Sequence, residues 1–144
     1  MYAGINVLRP YLPEEKNDVK HKCVIGVVEG DTHDIGKNLV MIMLETAGFE
    51  MIDLGRDVPL QKFVDTAKEK EAELICLSTL MTTTMPGMEE IIHLLEKEGL
   101  RDKVKVMIGG GPVSQNYADK IGADGYSTTA VEAVKLAKRL LAIA

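Results

Sequence analysis

The chain alternates short, almost purely apolar runs with longer stretches in which apolar residues return every three or four positions. Runs of the first kind read as buried strands, and stretches of the second as helices with one covered face. Lys22 to Val28 gives a first strand, followed by a helix from about Gly36 to Ala47 that Gly48 stops. A second strand spans about Glu50 to Leu54, and Pro59 suits the first turn of a helix reaching about Glu71, with Phe63, Val64 and Ala67 inward. Leu74 to Ser78 is the third strand, and Pro86 opens a helix carrying Met88, Ile91, Ile92 and Leu95 as far as Gly99. A fourth strand over Val104 to Ile108, a short helix from about Val113 to Ile121, a minimal strand at Gly125-Tyr126 and an amphipathic helix from Thr129 to Leu141 complete the series.

Regular alternation of strand and helix is the signature of βαβ units. Strands this apolar belong in a parallel sheet covered on both faces. Five of each predict a flavodoxin-like (Rossmann-like) doubly wound α/β sheet of order 2-1-3-4-5, whose ligand crevice opens beyond the carboxyl ends of strands one and three. The loops at that point are Glu29 to Ile35 and Thr79 to Thr84. The pattern before Lys22 is different: Ile5, Leu8 and Leu12 give a weak helical period ended by Pro13, and Glu14 to His21 is a charged linker. Residues 1–21 therefore read as the tail of something else, and 22–144 as one domain of ordinary size.

Composition narrows the function. A net charge of −5, scattered Lys and Arg, four Tyr, two Phe and no Trp leave neither a basic footprint nor a stacking platform for nucleic acid. No apolar run approaches a bilayer span and the N-terminus has no signal-peptide pattern, which predicts a cytoplasmic protein. Cys23 and Cys76 lie far apart inside apolar runs and read as reduced core thiols rather than as part of a zinc site.

Chemistry concentrates in Glu29-Gly30-Asp31-Thr32-His33-Asp34-Ile35-Gly36-Lys37-Asn38, the turn between the first strand and its helix. A neutral imidazole is a good metal ligand when an acceptor holds its other ring nitrogen, and Asp31 stands two residues before His33. Plainer roles exist for each residue. Asp31 and Asp34 suit helix capping, Gly36 tight packing of helix on strand, and Lys37 and Asn38 a solvated helix start. Gly109-Gly110-Gly111-Pro112 suits a turn or a phosphate cradle, Met81, Met85 and Met88 an adaptable core, and His21 and His93 structural or solvated sites. A metal hydrolase built on Asp31 and His33 lacks further converging ligands, and a receiver-like signalling domain without cofactor needs an aspartate where Ser78 stands.

The pattern Asp31-x-His33-x-x-Gly36, with Ser78-x-Leu80 and Gly109-Gly110, resembles the cobalamin (vitamin B12) binding domain of base-off, His-on corrinoid proteins. The run Asp31 to Asn38 is more similar to methionine synthase and to the corrinoid proteins for methanol, methylamines, glycine betaine and aryl methyl ethers than to the carbon-skeleton mutases. The resemblance implies His33 as the lower ligand of cobalt, with Asp31 and Thr84 as a proton relay that couples ligation to oxidation state. It implies Gly30, Thr32, Asp34, Ile35, Met81 and Thr82 as further cofactor-binding residues, Met81 flanking the corrin. It also implies a deep groove for the cofactor's tail, with small residues at Ser78, Gly109, Gly110 and Gly111 and with Leu80, Tyr126 and Ser127 along it. The implied protein is less an enzyme than a carrier subunit that cycles between Co(I) and methyl-Co(III). Its partners would be a substrate-specific methyltransferase, a second methyltransferase with a thiol or folate acceptor, and a reductive activating protein. A helical domain caps the corrin in that family, and Met1 to Leu12 would be its remnant. The nearest alternative is the small cobalamin-binding subunit of an adenosylcobalamin-dependent mutase.

Overall fold

The structure, a computed structural model, describes residues 21–142; the Met1 to Leu12 segment and nearly all of the linker lie outside the described residues. The elements are β1 (Lys22–Val28), α1 (Ile35–Thr46), β2 (Glu50–Val58), α2 (Leu60–Lys70), β3 (Leu74–Ser78), α3 (Pro86–Lys97), β4 (Lys105–Gly109), α4 (Gln115–Ile121), β5 (Gly125–Tyr126) and α5 (Ala130–Leu140). A single 3-10 turn at Thr82–Thr84 lies between β3 and α3. The strands form one parallel sheet in the predicted order β2-β1-β3-β4-β5.

Alternation along each strand divides the core. Val24, Ile75, Leu77, Val106 and Ile108 pack against Phe63, Val64, Met88, Ile91, Ile92 and Ala118 of α2, α3 and α4. Cys23, Ile25, Leu74, Cys76 and Met107 face the other way, toward Leu44 of α1 and Ala133, Leu136 and Ala137 of α5. The α1/α5 core is the thinner of the two, with ten buried side chains against nineteen, and the space it leaves matters below. Side-chain caps start two helices: Ser114 Oγ accepts from the Tyr117 N–H and Thr129 Oγ1 from the Glu132 N–H.

One boundary departs from the sequence reading. β2 continues past Leu54 to Val58 through two bulges, because the register steps from Ile25↔Asp53 to Gly26↔Gly55 and then to Val28↔Val58. Gly55 (φ 93) and Asp57 (φ 52) take left-handed conformations there. Gly-Arg-Asp breaks the apolar period, so the pattern ends four residues before the strand does.

Candidate functional site

β1 and β3 are central neighbours with Val27 opposite Ser78, so the loops leaving their carboxyl ends run side by side. After β1 the chain turns at Gly30 (φ 96), and the Asp31 N–H donates to the Val28 carbonyl at 3.0 Å. This turn sends the Asp31 side chain inward, where it is fully buried, and leaves the His33 side chain 55% exposed.

Asp31 is the hub. Its Oδ1 accepts from the His33 backbone N–H at 2.9 Å and meets His33 Nδ1 at 2.7 Å, and its Oδ2 accepts from the Leu80 N–H at 2.6 Å and from Thr79 Oγ1 at 2.7 Å. Burial by itself raises the carboxyl pKa, but these four hydrogen bonds to His33, Leu80 and Thr79 together outweigh it and hold Asp31 well below the usual carboxylate range. An ionised carboxylate only accepts, so Nδ1 must carry the hydrogen on that bond. In the neutral ring the lone pair is then on Nε2, on the part-exposed side chain.

The expected relay is longer than the sequence implied. Thr84 does not reach Asp31; the buried Thr79 hydroxyl does, and with that proton spent the single hydroxyl proton of Thr84 is shared between Thr79 Oγ1 and the Met81 carbonyl, 3.0 Å away. Thr79 was hidden between Ser78 and Leu80. Its signal is positional: it is the first residue past the central strand beside β1, where a buried hydroxyl faces the loop that leaves β1.

A groove of about 550 Å³ opens beside His33 on the thin-core side of the sheet. Of the residues singled out in the sequence, His33, Gly36, Ser78, Leu80, Gly109, Gly110, Gly111, Tyr126 and Ser127 line it. Ile25, Leu39, Val40 and Cys76, whose pattern marks them only as core, line it too, as do Leu77 and Thr128 to Ala130. Gly30, Asp31, Thr32, Asp34, Ile35, Met81, Thr82 and Thr84 are not in its wall. Ile35 (85% exposed) and Met81 (37%) instead stand on the two loops next to His33. Met88 is fully buried core, with Met85 packed against it.

Three plain roles fail. Asp31 caps no helix, and Asp34 stands at the start of α1 without a side-chain capping bond. A Cβ built on Gly36 meets nothing within 4 Å, so tight packing does not explain this glycine. Lys37 is 2% exposed rather than solvated, and its Nζ donates to Asp53 Oδ1 at 2.8 Å and Asn38 Oδ1 at 2.5 Å. Gly110 is the opposite case to Gly36, since at φ 128 its Cβ would lie 1.7 Å from the Thr79 carbonyl oxygen. Burial pushes the Cys76 thiol up to about 12, and burial with the neighbouring Cys76 raises Cys23 as well, so both are inert as thiolates. His21 Nδ1 lies 2.6 Å from Glu73, and His93 is exposed.

Among the described residues no group of three or more His, Cys, Asp or Glu side chains converges to hold a metal ion. One oriented imidazole beside a large groove could give a single ligand to a metal whose other ligands come with it.

The family model of the "B12 binding domain" matches residues 21–135. The chain belongs to this family. Cobalamin is therefore the cofactor of this B12-binding domain. Over 143 residues the domain is 57% identical to dimethylamine corrinoid protein 3 of Methanosarcina mazei, which covers 99% of this chain and 86% of that one. A cobalamin-binding protein of Desulfitobacterium hafniense superposes with a TM-score of 0.81 at 46% identity, over 83% of this chain and 58% of its own. A chain of the methanol:cobalamin methyltransferase complex MtaBC from Methanosarcina barkeri does so at 0.81 and 34%, over 88% and 48%. The chain thus spans about half the length of these two solved proteins. A receiver domain of the response regulator NarL from Mycobacterium tuberculosis, at 20% identity and a TM-score of 0.59, shares the fold alone. Among the described residues no helix is long and apolar enough to cross a membrane.

Proposed function

We propose that this B12-binding domain holds cobalamin base-off and His-on, and that it carries a methyl group between a substrate-specific methyltransferase and a second methyltransferase with a thiol or folate acceptor. A reductive activating protein would return the cofactor to its working state. The observation that carries the reading is the Asp31–His33 pair, 2.7 Å apart, with Nε2 uncommitted at the mouth of the groove. The names of the dimethylamine corrinoid protein and of the methanol:cobalamin methyltransferase complex support the methyl-transfer part.

When bound, cobalamin supplies a cobalt centre able to accept and donate a methyl group by passing between Co(I) and Co(III). The chain supplies ligation, orientation and electrostatics. Asp31 fixes the tautomer that presents Nε2 as a ligand. The ionised Asp31 holds the Nδ1 side of the ring at 2.7 Å, so that Nε2 is the atom that would face the cofactor. Thr79, backed by Thr84, donates to the far oxygen of that carboxylate and keeps it from turning away. The groove walled by Val40, Cys76, Gly109 and Tyr126 would hold the nucleotide tail of a base-off cofactor. Met81 and Ile35 offer apolar contact to the macrocycle.

The test is retention. Protein loaded with cobalamin and desalted is expected to keep the cofactor with a base-off absorption spectrum, and His33→Ala to lose the nitrogen-ligated form. A protein that returns from desalting without cobalamin overturns the reading.

A further inference from the structure

Asp57 stands outside every motif that points to the site, yet it bonds twice to the loop that carries His33. Its carboxylate Oδ1 accepts from the Gly30 N–H at 2.8 Å, and its own backbone N–H donates to the Asp31 carbonyl oxygen at 2.8 Å. One residue of β2 therefore grips the Gly30–Asp31 segment at both ends. Three features of the strand are organised to bring it there. The bulge between Gly55 and Val58 inserts an extra residue opposite β1, and such bulges re-aim side chains beside functional sites. Asp57 itself is held at φ 52, a conformation that L residues adopt rarely and that Asp and Asn tolerate best. The preceding bulge is tied down as well, because Asp53 Oδ1 accepts from both the Gly55 N–H and Lys37 Nζ at 2.8 Å. That second tie reaches α1 four residues past His33. β2 thus fixes the chain on both sides of the imidazole.

Asp31 receives its constraints from two directions. Thr79 and Leu80 of the β3 loop hold its carboxylate, and Asp57 holds its main chain. Without Asp57 the main chain there would keep the Asp31 N–H bond to the Val28 carbonyl but lose those of the Gly30 N–H and the Asp31 carbonyl, and the His33 N–H and Nδ1 that lean on Oδ1 would follow the loosened peptide plane. We propose that Asp57 is the positioning residue of the His33 loop, set in a left-handed bulge conformation so that its amide and carboxylate pre-orient the imidazole for the metal. The inference rests on the reading of His33 as the cobalt ligand, and its experiment separates the two.

Chain labelled with nitrogen-15 histidine is prepared without cofactor as wild type, Asp57→Gly and Asp57→Asn, with His33→Gln assigning the resonances. Glycine accepts the positive φ and keeps the backbone donor, so Asp57→Gly removes the carboxylate alone. Asparagine accepts the same φ and keeps an acceptor oxygen. Expected in wild type and Asp57→Asn are distinct Nδ1 and Nε2 signals of one His33 tautomer. In Asp57→Gly they should move toward the averaged position of an unconstrained ring, and cobalamin should bind about tenfold more weakly, the usual size of an effect through a supporting hydrogen bond. Asp57→Asn should bind within about twofold of wild type by the same reasoning. Unchanged His33 signals and affinity in Asp57→Gly overturn the proposal, and so does an Asp57→Asn variant as loosened as the glycine one. Cobalamin held by its own base in wild type would sink the ligand reading instead, while the cofactor-free spectra would still report on Asp57.

Discussion

The two sides of the site are specified in opposite ways. On the β1 side the chain is fixed by bonds: one buried carboxylate takes up two backbone N–H groups, a hydroxyl and an imidazole. On the β4 and β5 side it is fixed by what is left out: Gly109, Gly110 and Gly111 where side chains would stand, and a core too thin to fill the space between α1 and α5. The first kind of site depends on residue identity and angle, the second on volume. The glycines sharpen the contrast, because Gly110 is small for the protein's own sake and Gly36 is not. A Cβ on Gly110 has no room, whereas among the described residues nothing lies within 4 Å of one on Gly36.

The largest effect should come from filling the space the fold needs. Gly110→Ala sets a Cβ 1.7 Å from the Thr79 carbonyl at φ 128 and should cost about 3 kcal/mol or more in thermal or urea unfolding, since both overpacking and backbone strain oppose it. A variant as stable as wild type would mean that the wall yields and that the close approach is not structural.

Asp31→Ala tests the bonded side. It strips the acceptor from Thr79 Oγ1, Leu80 N–H and His33 N–H and should cost about 2–3 kcal/mol near neutral pH. The sign with pH follows from the depressed carboxyl: Asp31 stabilises the fold fully above its ordinary value of 3.8, and the contribution fades as pH falls below that toward its lower folded value. The gap between wild type and Asp31→Ala should therefore narrow on acidification below about pH 4. A gap that widens there contradicts the assignment.

The Lys37–Asp53 pair offers an asymmetric test, with Lys37 2% exposed and Asp53 35%. Asp53→Ala strands a buried ammonium and should cost about 2–3 kcal/mol, whereas Lys37→Met leaves a carboxylate that water can reach and should cost about 1 kcal/mol or less. Equal losses would show that Lys37 finds solvent on its own.

The smallest change in stability belongs to Gly36→Ala, and it separates fold from ligand most cleanly. With nothing within 4 Å of the new methyl group, the variant should match wild type or gain up to about 0.5 kcal/mol from helix propensity. Cobalamin should nevertheless bind it more weakly. Unchanged binding would place the cofactor away from Gly36.

The fold was legible because β1, β3 and β4 are apolar runs and the helices between them keep their period, and the loops at the switch point followed from topology. Partners distant in sequence were not legible. Lys37 reads as a solvated helix-start residue until β2 brings Asp53 beneath it, sixteen residues away. Thr79 matters through one bond across the loops and Asp57 through two, and none of these bonds leaves a periodic trace. The lower groove was hidden for a related reason: Ile25, Val40 and Cys76 have the pattern of core residues and belong to the core, yet part of each faces the cavity.

The central claim is that His33 takes the place of the cofactor's own base. Its most direct test is electron paramagnetic resonance of the cobalamin-loaded chain, reduced to Co(II), prepared once with natural histidine and once with nitrogen-15 histidine. The account predicts that the nitrogen splitting changes with the label and that His33→Ala abolishes the change. Splitting that ignores the label, with cobalamin still bound, would mean that the cofactor keeps its own base and would contradict the account.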